Sequence, residues 1–317
     1  FGILGSKFFA LLNILQLTGW TGIMIYDGAL SINGIFKNGA WLWAIVIGLL
    51  IAAWILIGIK NVSKLNVASL SALFILTLVL CKIIFFNGDN SVVSSTQEEA
   101  MSFGAAAELA AAMPLSWLPL ISDYTKESNK PVMSSLLSSL VYGATSCWMY
   151  LIGMGAAIFT SETDISLILL KSGLGWAALV IVILSTVTTT FLDAFSAGIS
   201  FETISSKPSG KTVALIVTAL GTIGAVFLPM DNITDFLYLI GSVFAPMISI
   251  QIADFFVLKN DSSAKSIDLQ KAVIWILGFA LYRISLSWNF ILGNTLPVML
   301  IIFAVTVAAQ KILGKKK

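Results

Sequence analysis

The chain has 317 residues, 58% of them hydrophobic and only 11% charged, with a formal net charge of +2 and no histidine. Its mean hydropathy is +0.96, whereas soluble domains carry about 25% charged residues. These figures exclude a soluble globule, a disordered chain, a coiled coil and a disulfide scaffold. The missing histidines exclude Ser-His triads, histidine metal sites and histidine proton relays, and so small a net charge gives no reason to expect a nucleic-acid partner. Cys81 and Cys147 both fall in apolar stretches and read as small buried hydrophobes.

A helix needs about 20 apolar residues to cross the hydrocarbon core of a bilayer. Ten such stretches follow one another in the chain, at 8–30, 38–59, 65–86, 101–123, 131–160, 174–200, 211–229, 233–258, 270–290 and 295–313. Polar segments separate them, among them Lys60–Lys64, Asn87–Asn90, Lys207–Lys211 and Asn260–Ser263. No connection is long enough for a soluble domain. The expectation is one all-α polytopic domain over 1–317, multi-pass in the cell membrane. With the first span running outward, fourteen of the eighteen basic residues fall inside, leaving Lys37, Lys82, Lys171 and Arg283 outside. Both ends are then cytoplasmic. The chain opens at Phe1 without a signal peptide and reads as a fragment.

Carboxylates within spans are the informative positions, because an ionisable group at mid-membrane costs about 2.5–3.5 kcal/mol on insertion scales. Glu108 lies in the fourth span between alanine triplets, with Pro114 and Pro119 following it. Proline removes a backbone donor and clashes with the preceding turn, so the helix is expected to break near Met113–Ser116 and face a cavity. The alternative is a kink shaped for packing, with Glu108 protonated or paired. In the sixth span Ser185, Thr189, Asp193 and Ser196 stack on one face, with Thr188 and Thr190 beside them. Their oxygens suit a small hard cation; packing hydrogen bonds between helices are the plainer reading. Trp20, set among Thr18, Gly19, Thr21 and Gly22, is either a plate for a planar heterocycle or the filling of a helix interface. The run Ser205–Thr212 imitates a phosphate-binding loop, but Ser205 replaces its first glycine and no strand precedes it.

Three segments carry a resemblance: Leu12–Thr21 (LNILQLTGWT), Met113–Thr125 (MPLSWLPLISDYT) and Ser185–Ala194 (STVTTTFLDA). They resemble the nucleobase:cation symporter family 1, whose members take up cytosine, purines, allantoin, hydantoins and thiamine precursors. The branch most similar is the hydroxymethylpyrimidine transporters. The resemblance implies a LeuT-type inverted-repeat fold, with the ten spans matching family helices three to twelve and the first two helices missing. It implies that Trp20 stacks on the substrate ring and that Met24 stands where hydantoin transporters place a glutamine. Ser185, through its carbonyl, and Thr188 and Thr189, through their hydroxyls, would bind sodium. Thr190 and Ala194 occupy positions where relatives often carry asparagines, so that Glu108 and Asp193 would take over recognition. Met113 and Pro114 would mark the unwound sixth helix beside the substrate.

The function expected is secondary active import of hydroxymethylpyrimidine by cation symport, with sodium or protons as the coupling ion. There would be no cofactor and no obligate protein partner. Alternatives are a proton-coupled cytosine, purine or allantoin permease, and a non-transporting remnant or substrate sensor. An enzyme is not expected, because neither a nucleophile–base pair nor a metal set stands out.

Overall fold

The computed structural model describes residues 1–86, 101–125, 128–160, 175–288 and 290–313. Among the described residues ten helices follow in order: α1 (Gly2–Phe36), α2 (Ala40–Ile57), α3 (Ile59–Phe86), α4 (Phe103–Thr125), α5 (Pro131–Thr160), α6 (Gly175–Glu202), α7 (Gly210–Phe227), α8 (Ile233–Ile252), α9 (Leu269–Ser285) and α10 (Thr295–Leu313). A π-helical segment, Ala253–Leu258, extends α8. Among the described residues nine helices are long and apolar enough to cross a membrane. The tenth, α9, has 17 residues, about 26 Å at 1.5 Å per residue and the lower end of a spanning length. Each expected span is therefore a helix.

Three details differ from expectation. Lys60–Lys64 belongs to the first turns of α3 rather than to a loop. Cys147 is exposed and Cys81 half-buried, because α5 packs on α3 and leaves most of its remaining surface open. The expected polar loop at Asn87–Asn90 and the outside basic residue Lys171 lie outside the described residues.

The chain divides into two compact units. The first comprises Phe1–Gln16, Glu99–Tyr124 and Asn232–Lys317, and the second Leu17–Glu98 and Thr125–Asp231. In the first unit α8 is the centre, and every residue from Ile240 to Ile250 is buried. A helix apolar on all sides belongs in a core. Its neighbours are tied to it by side-chain donors on main-chain carbonyls: Trp275 Nε1 donates to Val243 O at 2.9 Å, and Ser249 Oγ to Met299 O at 2.5 Å.

The same unit holds a buried charge cluster at the start of α9. Lys271, 3% exposed, pairs with Asp254 of the π-helical segment and donates to Ser262 Oγ at 2.7 Å. Ser262 donates in turn to Asp268 at 3.0 Å, as does Lys265 at 2.9 Å. Burial alone pushes the Asp268 carboxyl up; hydrogen bonds from Lys265 and Ser262, and the Lys271 charge, outweigh it and bring the carboxyl down to about 2. Asp268 also caps α9 by accepting from the Lys271 backbone N–H.

In the second unit α7 packs on α1, α2 and α6 through glycines. A Cβ on Gly221 would meet Thr21 Cγ2 at 2.7 Å and the Gly22 backbone nitrogen at 3.1 Å. Gly48 of α2 faces Thr222, and Gly198 of α6 faces the Gly210 carbonyl. Small residues are what allow helices to approach this closely in a membrane, where hydrophobicity no longer drives association. A separate core of Leu76, Leu80, Ile84, Ile152 and Ala156 joins α3 to α5. There Trp148 Nε1 donates to Thr77 Oγ1 at 3.0 Å.

Candidate functional site

The second unit brings the predicted aromatic and carboxylate positions to one level through a single close contact. A Cβ on Gly28 of α1 would lie 3.1 Å from Thr186 Cγ2 of α6 and 3.0 Å from Ile47 Cδ1 of α2. From Gly28 back along α1, Met24 and Trp20 recur at four-residue steps, so all three share one face. From Thr186 forward along α6, Thr190 and Asp193 recur at the same helical spacing. Because α1 and α6 run in opposite directions if the helices alternate across the bilayer, the two stripes proceed to the same depth. Trp20 is about 12 Å from Gly28 and Asp193 about 10 Å from Thr186, at 1.5 Å per residue. An aromatic ring and a carboxylate therefore stand at matching depth on neighbouring helices.

The surroundings of that carboxylate are dry. Asp193 is 8% exposed, between Phe191 and Ala194, which are 1% and 0% exposed, and no described residue donates a hydrogen bond to it. On the preceding turn Thr190 is wholly buried, and its Oγ1 has no partner among the described residues. A buried polar group without a partner costs about 1–3 kcal/mol. Trp20 and Met24 are half-buried.

One turn toward the start of α6 lies the hydroxyl trio. Thr188 Oγ1 donates to Ser185 O at 3.0 Å and Thr189 Oγ1 donates to the same carbonyl at 2.8 Å. Three oxygens of the hard type are thus gathered on one turn. Each hydroxyl keeps lone pairs beyond the proton that it donates. Thr189 also donates to Thr186 O at 3.2 Å.

The first unit corrects two expectations. Glu108 is 0% exposed and fully engaged. Its Oε1 accepts from Tyr282 Oη and from Thr295 Oγ1 at 2.6 Å, and its Oε2 accepts from the backbone N–H groups of Asn294 at 2.5 Å and Thr295 at 2.7 Å. The amides that open a helix have no partner within it, and a carboxylate there is favoured by the helix dipole. Glu108 caps α10 from a distant helix; it has no free oxygen for a base. Gly293 makes room for it: φ is +75°, and a Cβ would lie 2.8 Å from Glu108 Oε2.

The second correction concerns Met113 and Pro114. Instead of unwinding, α4 is helical from Phe103 to Thr125 with both prolines inside. Each proline removes one backbone donor, a loss that membrane helices absorb through neighbouring side chains. Pro114 leaves Ala110 O, and Pro119 leaves Leu115 O, without the usual donor four residues on; nearby, Ser116 Oγ donates to Met113 O at 2.6 Å, and Gln16 Nε2 reaches from α1 to Ser116 O at 2.9 Å. Met113 and Pro114 therefore lie within a continuous helix rather than at an unwound break.

Sequence reasoning passed over Gln16, Tyr282 and Thr295. Gln16 also donates to Asn13 Oδ1 at 2.6 Å, and this buried amide pair inside an apolar stretch was itself a signal. Asn294-Thr295 ahead of the last apolar run has the form of a helix start that wants an acceptor. Nothing in the sequence pointed to Tyr282.

A polytopic helical bundle with a half-buried aromatic and a buried carboxylate on neighbouring helices suits a membrane transporter, and the known proteins that the chain is similar to are transporters. No family model matches the chain. It is 23% identical over 312 residues to the cytosine permease of Escherichia coli K12, covering 95% of this chain and 74% of that protein, and 22% identical over 312 residues to the cytosine permease of Escherichia coli O157:H7. Among solved structures it matches Mhp1, a nucleobase-cation-symport-1 family transporter, in a closed conformation with bromovinylhydantoin bound. That match has a TM-score of 0.71 at 18% identity and covers all of this chain and 78% of Mhp1. The fold is the LeuT-type fold of Mhp1, and the sequence is similar to that of the cytosine permeases. The relatives are transporters rather than enzymes, and the chain is a multi-pass membrane protein.

Proposed function

We propose that the chain imports a pyrimidine of the hydroxymethylpyrimidine type, a thiamine precursor, by symport with a cation. The ring stacks on Trp20, and the exocyclic amine donates to Asp193. Thr190, Met24 and Ala194 fill the space around it. The observation that carries this reading is the common depth of Trp20 and Asp193, reached from the Gly28–Thr186 contact. The relatives named above support a nucleobase as cargo. The chain itself argues for a substrate other than cytosine, because Thr190 and Ala194 bring no side-chain amide and Asp193 brings a carboxylate.

Sodium is the coupling ion in this reading, held by Ser185 O, Thr188 Oγ1 and Thr189 Oγ1, whose grouping supports the assignment. The hydroxyls turn their lone pairs to the ion. Substrate binding on one face of α6 and ion binding one turn away then share a single rigid helix, and alternating access moves around that helix at mid-membrane. The test is uptake of labelled hydroxymethylpyrimidine by the full-length protein in sealed vesicles. Uptake driven by an inward sodium gradient is the expected result. Uptake that ignores sodium but stops with a protonophore replaces sodium by the proton, and binding without any uptake makes the chain a sensor.

A further inference from the structure

We infer that Asp193 selects bases which present two neighbouring hydrogen-bond donors on one edge, and rejects isomers that have no such edge. The inference rests on the substrate reading above and specifies the edge that is read. A carboxylate offers two acceptor oxygens and no donor. Asp193 is buried, and neither oxygen receives a hydrogen bond from a described residue. Glu108, a buried carboxylate of another helix, shows the contrast: the protein supplies it with four donors, two to each oxygen. Where the protein supplies none, a ligand that brings donors is favoured. Two parallel N–H or O–H donors meet a carboxylate in the bidentate geometry that gives both strength and orientation.

The edges that qualify can be named by their chemistry. An amino group beside a hydroxymethyl group presents N–H and O–H side by side. An amino group beside a protonated ring nitrogen, as in isocytosine or guanine, presents two N–H groups. Cytosine does not qualify, since its amino group has a bare ring nitrogen on one side, whose lone pair would face a carboxylate oxygen, and a ring C–H on the other, so no second donor stands beside it. Leaving a buried acceptor unpaired while opposing two lone pairs is the kind of mismatch by which sites reject isosteres. Side-chain amides at this site would accept the cytosine edge, having one donor and one acceptor, but Thr190 and Ala194 carry none.

Isocytosine and cytosine are isomers of the same size, so their comparison isolates the edge. Each competes against labelled hydroxymethylpyrimidine for the full-length protein in vesicles. Wild type is expected to bind isocytosine at least about tenfold more tightly than cytosine. In Asp193→Asn, whose amide has one donor and one acceptor, the ratio is expected to fall to one or below. A ratio does not depend on how much of the variant folds, and the wild-type ratio is decisive by itself. Equal or better competition by cytosine in wild type overturns the inference, as does a ratio that Asp193→Asn leaves unchanged. Those outcomes leave the transport reading standing; absence of any binding of the labelled pyrimidine to wild type removes both.

Discussion

Glu108 and Asp193 are both carboxylates in apolar helices, and alike they drew notice in the sequence; their neighbours separate them. The donors of Glu108 come from residues more than 170 positions away, a distance across which no local pattern could announce them. Its chemistry was legible, its partner was not. Glu108→Gln replaces an acceptor oxygen with an NH2 group that confronts the Asn294 and Thr295 amides or the Tyr282 and Thr295 hydroxyls. The expected loss is about 1–3 kcal/mol of stability, seen as a lower melting temperature in detergent, with the preference among pyrimidines unchanged. A changed preference with unchanged melting would return Glu108 to the substrate. Asp193 was legible for a different reason: its own helix neighbours, Thr189 and Thr190, are what mark it.

Among the helices, span positions followed directly from hydropathy, since the bilayer imposes a length that a soluble core does not. The intact α4 did not, because two prolines inside an apolar span fit a broken helix as well as a continuous one. Packing between helices was equally hidden: the glycines of α1 and α7 gave no sign that they face each other. Gly221 lies against Thr21 and Gly22, next to Trp20 in α1. Gly221→Val would push α1 away from α7. Overpacking of this kind costs about 1–3 kcal/mol or more, and the melting temperature is expected to fall along with affinity for the pyrimidine. Gly143→Ala in α5 is the matched control: nothing lies within 4 Å of a Cβ there. It is expected to change neither, and equal effects of the two substitutions would remove the proposed close contact between α1 and α7.

For the molecule as a whole, the chain divides into two compact units, the first centred on α8 and the second built from α2, α6 and α7 packed together. Their make-up could not be read from the sequence, because each unit gathers segments distant along the chain. The proposed binding stripe and the hydroxyl trio lie in the second unit, whereas the clasp on Glu108 and the Lys271 charge cluster stabilise the first. This division makes the aromatic face of α1 the feature on which the proposed recognition depends. The most direct measurement is equilibrium binding of labelled hydroxymethylpyrimidine to wild type and Trp20→Ala, with the folded fraction of each fixed by its melting curve. Removing a stacking ring from a desolvated site is expected to weaken binding at least about tenfold, in line with about 0.5–1.5 kcal/mol for an aromatic pair and further loss from the exposed cavity. Wild-type affinity in folded Trp20→Ala would contradict the account.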